Sequence, residues 1–399
     1  MYTSMFRKAM LGDTATLNLD FTTGVLDSRL TFTRAAGTAT YINSSGYVTT
    51  AAANVARFDY DPVTLAPRGL LIEGTAINLL KNSAYADTNW IAFGGYTKSI
   101  TTGITSPAND TTAARLTFTA VGHGLYTNNT QMAYTNTVGA TYTMSAWIRA
   151  TSNTTNLNIR FGDSAVATGP NIPITTTWTR YSYSYVALSA SGPLVQSASG
   201  TATGEFEMWG FQLELGSGAS SYIPTGASQV TRNGDSCVMT GTNFSSWFAG
   251  ATEGVLFAQY EKPRSQSGNA AHDFSAVGSR YTTGAGFILY AGNSNYYPTT
   301  ILWPTGGAIF GGGIATAIPS VTKQAGKWFG GNDVTNYSNG VVGTTVAGTG
   351  TLTPAMLSFG ANSATGTEAT RDWLNSCIRQ VKFYPTALSD AAIQTLTTT

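Results

Sequence analysis

The sequence predicts an all-β protein of sandwich type, and three features carry that expectation. Glycine is abundant, with 44 among 399 residues, and turn signals punctuate the chain at short intervals. Helical periodicity is almost absent. Apolar and polar residues instead alternate between the turns, as strands with one buried face require. The length allows two to three domains, each able to bury its own core. Only 10% of residues are charged, against about 25% in an ordinary globular protein, so Thr, Ser, Asn and Gly supply the polar surface.

Residues 1–76 form the first segment. Leu17, Leu19 and Phe21 alternate with Asn18 and Asp20, which marks a half-buried strand. Thr40-Tyr-Ile42 and Tyr47-Val-Thr49 flank Asn43-Ser-Ser-Gly46, a hairpin whose glycine can supply a positive φ. The segment has too few apolar residues for a core of its own, so it reads as a docking element that packs on a partner or on the next domain.

Residues 77–229 form the second segment. Tyr142, Met144, Ala146 and Ile148 alternate with Thr143, Ser145, Trp147 and Arg149, and Thr179, Tyr181, Tyr183 and Tyr185 share one face. Phe206 and Met208 keep one phase while Phe211, Leu213 and Leu215 take the other, so Trp209-Gly210 predicts a β-bulge. A polar linker, Gly226 to Asp235, leads into residues 230–399. There Glu253–Tyr260, Gly286–Tyr290, Lys327–Phe329 and Ile378–Pro385 read as strands, and Asn339-Gly340 as a turn. Leu388–Leu396 is the one stretch with clear helical character, and Ser389 is placed to cap it.

The opening run Leu17–Phe21, Gly24–Asp27, Thr31–Arg34, Ala39–Ile42, Arg57–Pro62 and Pro67–Glu73 resembles the amino-terminal module of many tailed-bacteriophage virion proteins. Asn82-Ser83, Trp90, Ala146-Trp-Ile-Arg149, Trp178-Thr-Arg180 and Gly210-Phe-Gln-Leu-Glu214 are similar to the jelly-roll carbohydrate-binding modules attached to many glycanases. Gln212-Leu-Glu214 with Tyr222-Ile-Pro-Thr225 is the most specific part. The last segment resembles a concanavalin A or laminin-G-like sandwich, a family that also shows a short terminal helix. The resemblance implies a virion-anchoring segment at 1–76, a jelly roll at 77–229 and a second sandwich at 230–399. It implies a non-enzymatic head fibre, decoration protein or tail fibre that folds in the host cytoplasm and is displayed on the virion surface. Capsid or tail proteins are the expected partners, a homotrimer the expected oligomer, and a host-surface glycan a further ligand.

Charge and motifs narrow the alternatives. Lys and Arg number 21 and Asp and Glu 20, which leaves no broad field for nucleic acid or anionic lipid. No bilayer-spanning apolar run occurs, and Met1–Gly12 carries charges where a signal peptide needs an apolar core. Cys237 and Cys377 fall near the first and last strands of the last segment, where a disulfide is geometrically open. Folding in a reducing cytoplasm favours two buried thiols instead.

No catalytic constellation is expected. His123 and His272 lie in different segments, and Glu205, Glu207 and Glu214 read as structural or solvated acids rather than the paired carboxylates of a glycosidase. No metal site is expected either. The resembling sandwiches often hold a structural calcium, but Asp59, Asp61, Asp333 and Asp372 form no diagnostic loop, and Asp59 and Asp61 read as turn formers before Pro62.

Glycan binding is the stronger candidate, because sugar rings stack on flat aromatics while nearby amides and guanidiniums replace water at their hydroxyls. Trp147, opposite the apolar phase of its strand beside Arg149, is one candidate; Tyr296, Tyr297, Trp303, Asn336 and Tyr337 form a second set. Trp90, Tyr96 and Tyr126 also fall in loop-like contexts. The competing classes are a polysaccharide depolymerase and an architectural capsid cement without glycan affinity.

Overall fold

The computed structural model describes residues 14–35, 37–85, 90–94, 99–120, 122–127, 134–151, 158–163, 169–190, 192–197, 204–262, 273–278, 286–292, 297–303, 309–311, 313–314, 320–350, 352–359 and 374–398. The fold is all-β and is built from two sandwiches.

The amino-terminal strands are β1 (Leu17–Asp20), β2 (Thr31–Thr33), β3 (Ala39–Ile42), β4 (Val48–Ala51), β5 (Arg57–Tyr60) and β6 (Pro67–Ile72). A short β7 (Ala76–Asn78) follows. The jelly roll holds β8 (Ile91–Phe93), β9 (Ile100–Ile104), β10 (Ala113–Phe118), β11 (Gly124–Tyr126) and β12 (Thr141–Ala150). It continues with β13 (Asn158–Asp163), β14 (Ile172–Pro173), β15 (Thr179–Val186), β16 (Pro193–Ser197) and β17 (Gly204–Leu215). The chain then passes through β18 (Val230–Arg232), β19 (Ser236–Thr240), helix α1 (Gly241–Phe248) and β20 (Gly254–Glu261). After β21 (Asp273–Gly278), β22 (Gly286–Gly292), β23 (Tyr297–Trp303) and β24 (Ile309–Phe310) come β25 (Val321–Phe329) and β26 (Asp333–Ser338). The last elements are β27 (Val341–Val342), β28 (Met356–Phe359), β29 (Ser376–Tyr384) and α2 (Asp390–Thr397).

The amino-terminal strands are not a separate docking element. Strands β1 and β6 both pair with β29, β5 pairs with β6, and β2 pairs with β19. One sheet of the last sandwich therefore runs β27-β26-β25-β20-β29-β6-β5, and the other β2-β19-β28-β21-β22-β23-β24. The physical reason is the one that made the segment look incomplete. Leu17, Leu19, Phe21, Phe32, Leu70 and Ile72 are few, but all are buried in one cluster with Leu256, Trp328, Phe359, Val381 and Phe383. They contribute to both faces of a core whose carboxyl-terminal members, from Cys237 on, lie more than 160 positions beyond Ile72 in the chain.

The jelly roll is inserted into this sandwich. Strands β7 and β18 pair antiparallel, so the chain leaves and returns through a two-stranded ribbon. Between them lie two five-stranded sheets, β15-β12-β17-β10-β9 and β14-β13-β16-β11-β8. Their shared core holds Leu116, Phe118, Tyr142, Met144, Phe161, Phe206, Met208, Phe211 and Leu213. The bulge falls where the phases change: the β12–β17 register shifts between Ser145 and Trp147, and Gly210 takes a φ of 67°. That shift lets both Met208 and Phe211 face the core, while Leu215 at the strand end is exposed.

The Gln212-Leu-Glu214 and Tyr222-Ile-Pro-Thr225 pair closes this unit. Gln212 accepts from the Ile223 amide at 2.6 Å and donates to Glu214 at 2.6 Å. Asn78 donates to the carbonyls of Phe211 and Ile223, and Ser83 Oγ pairs with the Tyr222 hydroxyl at 2.8 Å.

Where the two units meet, charge is buried. Arg34 pairs with Asp235 at 3.0 Å, and Arg57 spans Glu73 at 2.8 Å and Asp235 at 2.5 Å, every side chain fully buried. Ser221 of the jelly roll donates to Glu73 through its amide and its hydroxyl. Both cysteines are buried free thiols, Cys237 on β19 in one sheet and Cys377 on β29 in the other. Their strands face each other across the core and do not lie side by side. Ser389 caps α2 by accepting from the Ala392 amide. Helix α1 was not expected from the sequence.

Candidate functional site

The hairpin β3–β4 lies over the outer face of the β15-β12-β17-β10-β9 sheet. Asn43 holds its turn by accepting from the amides of Ser45 and Tyr47. Ile42 and Val48 then pack on Ala113, Trp147, Trp209 and Tyr222. Trp147 does point away from the jelly-roll core, but the hairpin covers it, leaving 5% of its surface exposed. Trp147 also lines the cleft between the hairpin and the sheet.

The other predicted aromatic set divides. Asn336 is fully buried, donating to the Pro298 carbonyl and accepting from Thr300 and Gln324. Tyr337 is also buried, its hydroxyl donating to Asp390 at 2.6 Å under helix α2. Both are therefore corrected from glycan contacts to interior residues: strand β26 pairs with β25, whose Ala325 packs with Tyr337 beneath α2. Tyr297 and Trp303 begin and end β23, and Tyr296 lies outside the described residues.

The acids hold structure. Glu207 accepts from Arg115 at 2.7 Å and Arg149 at 2.6 Å. Burial raises its proton affinity, but these two hydrogen bonds outweigh it and hold the carboxyl below its ordinary value. Glu214 is buried, which pushes its carboxyl up despite hydrogen bonds from Ser220 and Gln212. Glu205 lies nearer solvent, 3.6 Å from Arg115. Asp61 accepts from the amides of Val63 and Thr64, as a turn former does. Asp59 accepts from the Ile42 amide and from Arg68, and Asp333 from the Gly348 amide. Asp372 and His272 lie outside the described residues. His123 precedes β11, 3.3 Å from the Thr119 hydroxyl. Among the described residues, no cluster of three metal-ligating side chains occurs.

The second jelly-roll sheet carries a feature that sequence reasoning missed. Leu125, Val195, Ile159 and Phe161 point into the core, so their neighbours Gly124, Tyr126, Gln196 and Arg160 face outward. Phe93 is the cross-strand partner of Gly124, which is that of Gln196, which is that of Arg160. These residues form one row across four strands.

The end of the Phe93 ring lies over Gly124, 2.5 Å from where a Cβ would stand. Only glycine permits this approach, so the ring lies down across the sheet instead of standing off it. Tyr126 meets the Phe93 ring edge-on, with centroids 5.9 Å apart. Both rings are half-buried. Farther along the row, Gln196 donates to the Gly122 carbonyl at 3.0 Å and Arg160 to Asn171 at 2.7 Å. The result is a recumbent aromatic ring beside an amide and a guanidinium held at fixed positions. The signal was a glycine opposite an aromatic on paired strands, and it becomes visible only once the register is known.

No protein-family model matches the chain, and no curated protein matches it. Solved structures show limited similarity. The CBM22-1-CBM22-2 tandem domain from Paenibacillus barcinonensis Xyn10C is 9% identical with a TM-score of 0.26, over 78% of this chain and 97% of that one. The Trypanosoma rangeli sialidase in complex with 2,3-difluorosialic acid is 15% identical with a TM-score of 0.31. It is matched over 40% of this chain, which spans a quarter of that enzyme's length (25%). Tailspike protein 4 of bacteriophage CBA120 is 17% identical with a TM-score of 0.24, over 35% of this chain and 21% of that one. Similarity of this degree carries no argument about ligand or activity.

Proposed function

We propose that this chain is a non-enzymatic glycan-binding protein of a tailed-bacteriophage particle, and that the Phe93 face of the jelly roll contacts the sugar. The row from Phe93 to Arg160 is the observation that carries the reading. A sugar ring needs a flat apolar surface for its C–H face and fixed donors and acceptors beside it, and the row supplies these side by side. Among the described residues, Glu207 and Glu214, two of the acids weighed for a glycosidase, are engaged by Arg115, Arg149 and Ser220.

The viral part of the proposal rests on the opening sequence run, from Leu17 to Glu73. On this reading the last sandwich, completed by the amino-terminal strands, faces the particle as part of a homotrimer, and the jelly roll projects from it. Binding of the full chain to an array of bacterial surface glycans tests the first part, with Phe93→Ala as the variant. Loss of about tenfold or more in affinity with unchanged thermal unfolding is expected, since one stacked aromatic contributes about 1 to 3 kcal/mol. Unchanged binding by the variant would sink the assignment of the face. Release of reducing ends from a bound polysaccharide would replace adhesion by hydrolysis. Antibody labelling of particles and the mass of the free protein test location and trimer.

A further inference from the structure

On the opposite sheet of the jelly roll, the hairpin β3–β4, the turn after β5 and the strands β12 and β15 enclose a cleft of about 660 Å³. That volume lies within the usual range for small-molecule sites. Trp178, half-buried with the Arg149 guanidinium 4.8 Å from its ring centre, forms an aromatic wall beside Tyr222. Thr179, Ser182 and Ser217 are also among the lining residues. The lining thus has the mixture of ring faces and hydroxyls that suits a sugar.

Its charge is uneven. The lining contains Arg68, Arg180 and Lys262 against Asp59 and Asp61, a surplus of one cation. Asp61 is held by turn amides, and Asp59 by Arg68 and the Ile42 amide. Arg180, the cross-strand partner of Trp147, donates to the Ser220 carbonyl at 2.6 Å and to Ser145 at 3.0 Å. Glu261, which Arg68 also meets, is balanced by Arg379.

Behind Ser221, a lining residue, the buried cluster sets Arg34, Arg57 and Arg232 against Glu73 and Asp235, a second surplus cation. The Arg232 guanidinium is fully buried, stands 3.7 Å from Glu73, and makes no hydrogen bond among the described residues. The buried Glu214, and Asp110, whose charge acts on the lining residue Tyr222, offset these two cations overall, but neither carboxylate is among the lining residues, whereas Arg180 and Lys262 are. In a cleft walled by low-dielectric protein the field of these lining cations is focused toward the opening.

We propose that this cleft is a second ligand site, independent of the Phe93 face, and that it takes a sugar residue bearing a carboxylate. The carboxylate lies toward Arg180 and Lys262, and the ring against Trp178. Titration calorimetry of the full chain with a galacturonic acid trimer and the neutral galactose trimer tests this at low and high salt. The acidic trimer is expected to bind about tenfold more tightly at low salt, with the preference shrinking as salt screens it. Arg180→Gln should remove the preference and Arg180→Lys retain most of it. Trp178→Ala should weaken both trimers, and Phe93→Ala should leave the salt-dependent component in place, with thermal unfolding confirming that each variant is folded. Equal affinity for the two trimers overturns the carboxylate assignment. Unchanged acidic binding in Trp178→Ala and Arg180→Gln overturns the location. Displacement of the trimer by an equal concentration of acetate reduces the cleft to a simple anion site and overturns the sugar class.

Discussion

Phe93 and Trp147 lie on opposite faces of the same jelly roll, and their surroundings give them opposite roles. Trp147 is packed by Ile42, Val48 and Tyr222, so Trp147→Ala should cost about 3 to 5 kcal/mol of stability. Phe93→Ala should leave the melting temperature nearly unchanged and act on binding instead. Chemical denaturation of both variants separates these outcomes. The phase of β12 was legible in the sequence, and it correctly placed Trp147 off the core. What covers that face was not legible, because the covering hairpin is 100 residues earlier in the chain. Glu207 offers a test by pH. Its carboxyl is held below its ordinary value by the hydrogen bonds from Arg115 and Arg149. It therefore contributes stability that is complete above about pH 5 and is lost as pH falls through the lowered folded value. Glu207→Gln should cost about 1 kcal/mol at pH 7, discounted because Arg115 and Arg149 both reach solvent, and almost nothing at a pH below the lowered folded value. Urea unfolding at the two pH values measures the difference.

At the scale of elements, local signals were read well and long-range ones were not. Asn43-Ser-Ser-Gly46, Trp209-Gly210 and Ser389 each act within a few residues, and the hairpin, bulge and helix α2 all form there. Helix α1 escaped because Gly241, Thr242, Asn243, Ser245 and Ser246 are weak helix formers and its N-cap Thr240 makes no side-chain capping bond. Phe244, Trp247 and Phe248 were its one signal, an i, i+3, i+4 apolar stripe now buried against Phe383 and Phe287. The buried ionic cluster had no sequence signature at all, since Arg34 and Asp235 are 201 positions apart. Arg57→Met would leave Glu73 and Asp235 short of their shared cation, and should cost about 3 to 5 kcal/mol. A loss under 1 kcal/mol in denaturant titration would show that the cluster relaxes or takes in water.

For the whole molecule, the interleaving of the amino-terminal strands reverses the expected effect of truncation. Removing residues 14–75 takes β1, β2, β5 and β6 from both sheets and strips Leu17, Leu19, Phe21, Phe32, Leu70 and Ile72 from the core. At about 2 to 5 kcal/mol for each large apolar residue lost, the deficit exceeds the 5 to 15 kcal/mol that holds an ordinary domain folded. The truncated chain should therefore lose the near-ultraviolet circular dichroism of its sandwich, whereas joining residue 78 to 230 through a short Gly-Ser linker should preserve it. A folded sandwich in the first case would mean that β1 and β6 are accessories to β29. The segmental order read from the sequence was sound as a list of strands. Its division into consecutive domains failed because a chain can complete a sheet that it began before an insertion.

The β7–β18 ribbon gives the protein a mechanical property. Tension between a sugar held by the jelly roll and a support holding the sandwich would run along two covalent strands at once, each bearing about half the load. Because β7 leaves and β18 returns side by side, pulling stretches the pair lengthwise and does not slide one strand past the other, so the ribbon acts as a tether and not as a zipper. Single-molecule pulling from the jelly roll against the sandwich should show resistance well above that for pulling Leu17 away from the carboxyl terminus, where β1 peels from β29 one rung at a time.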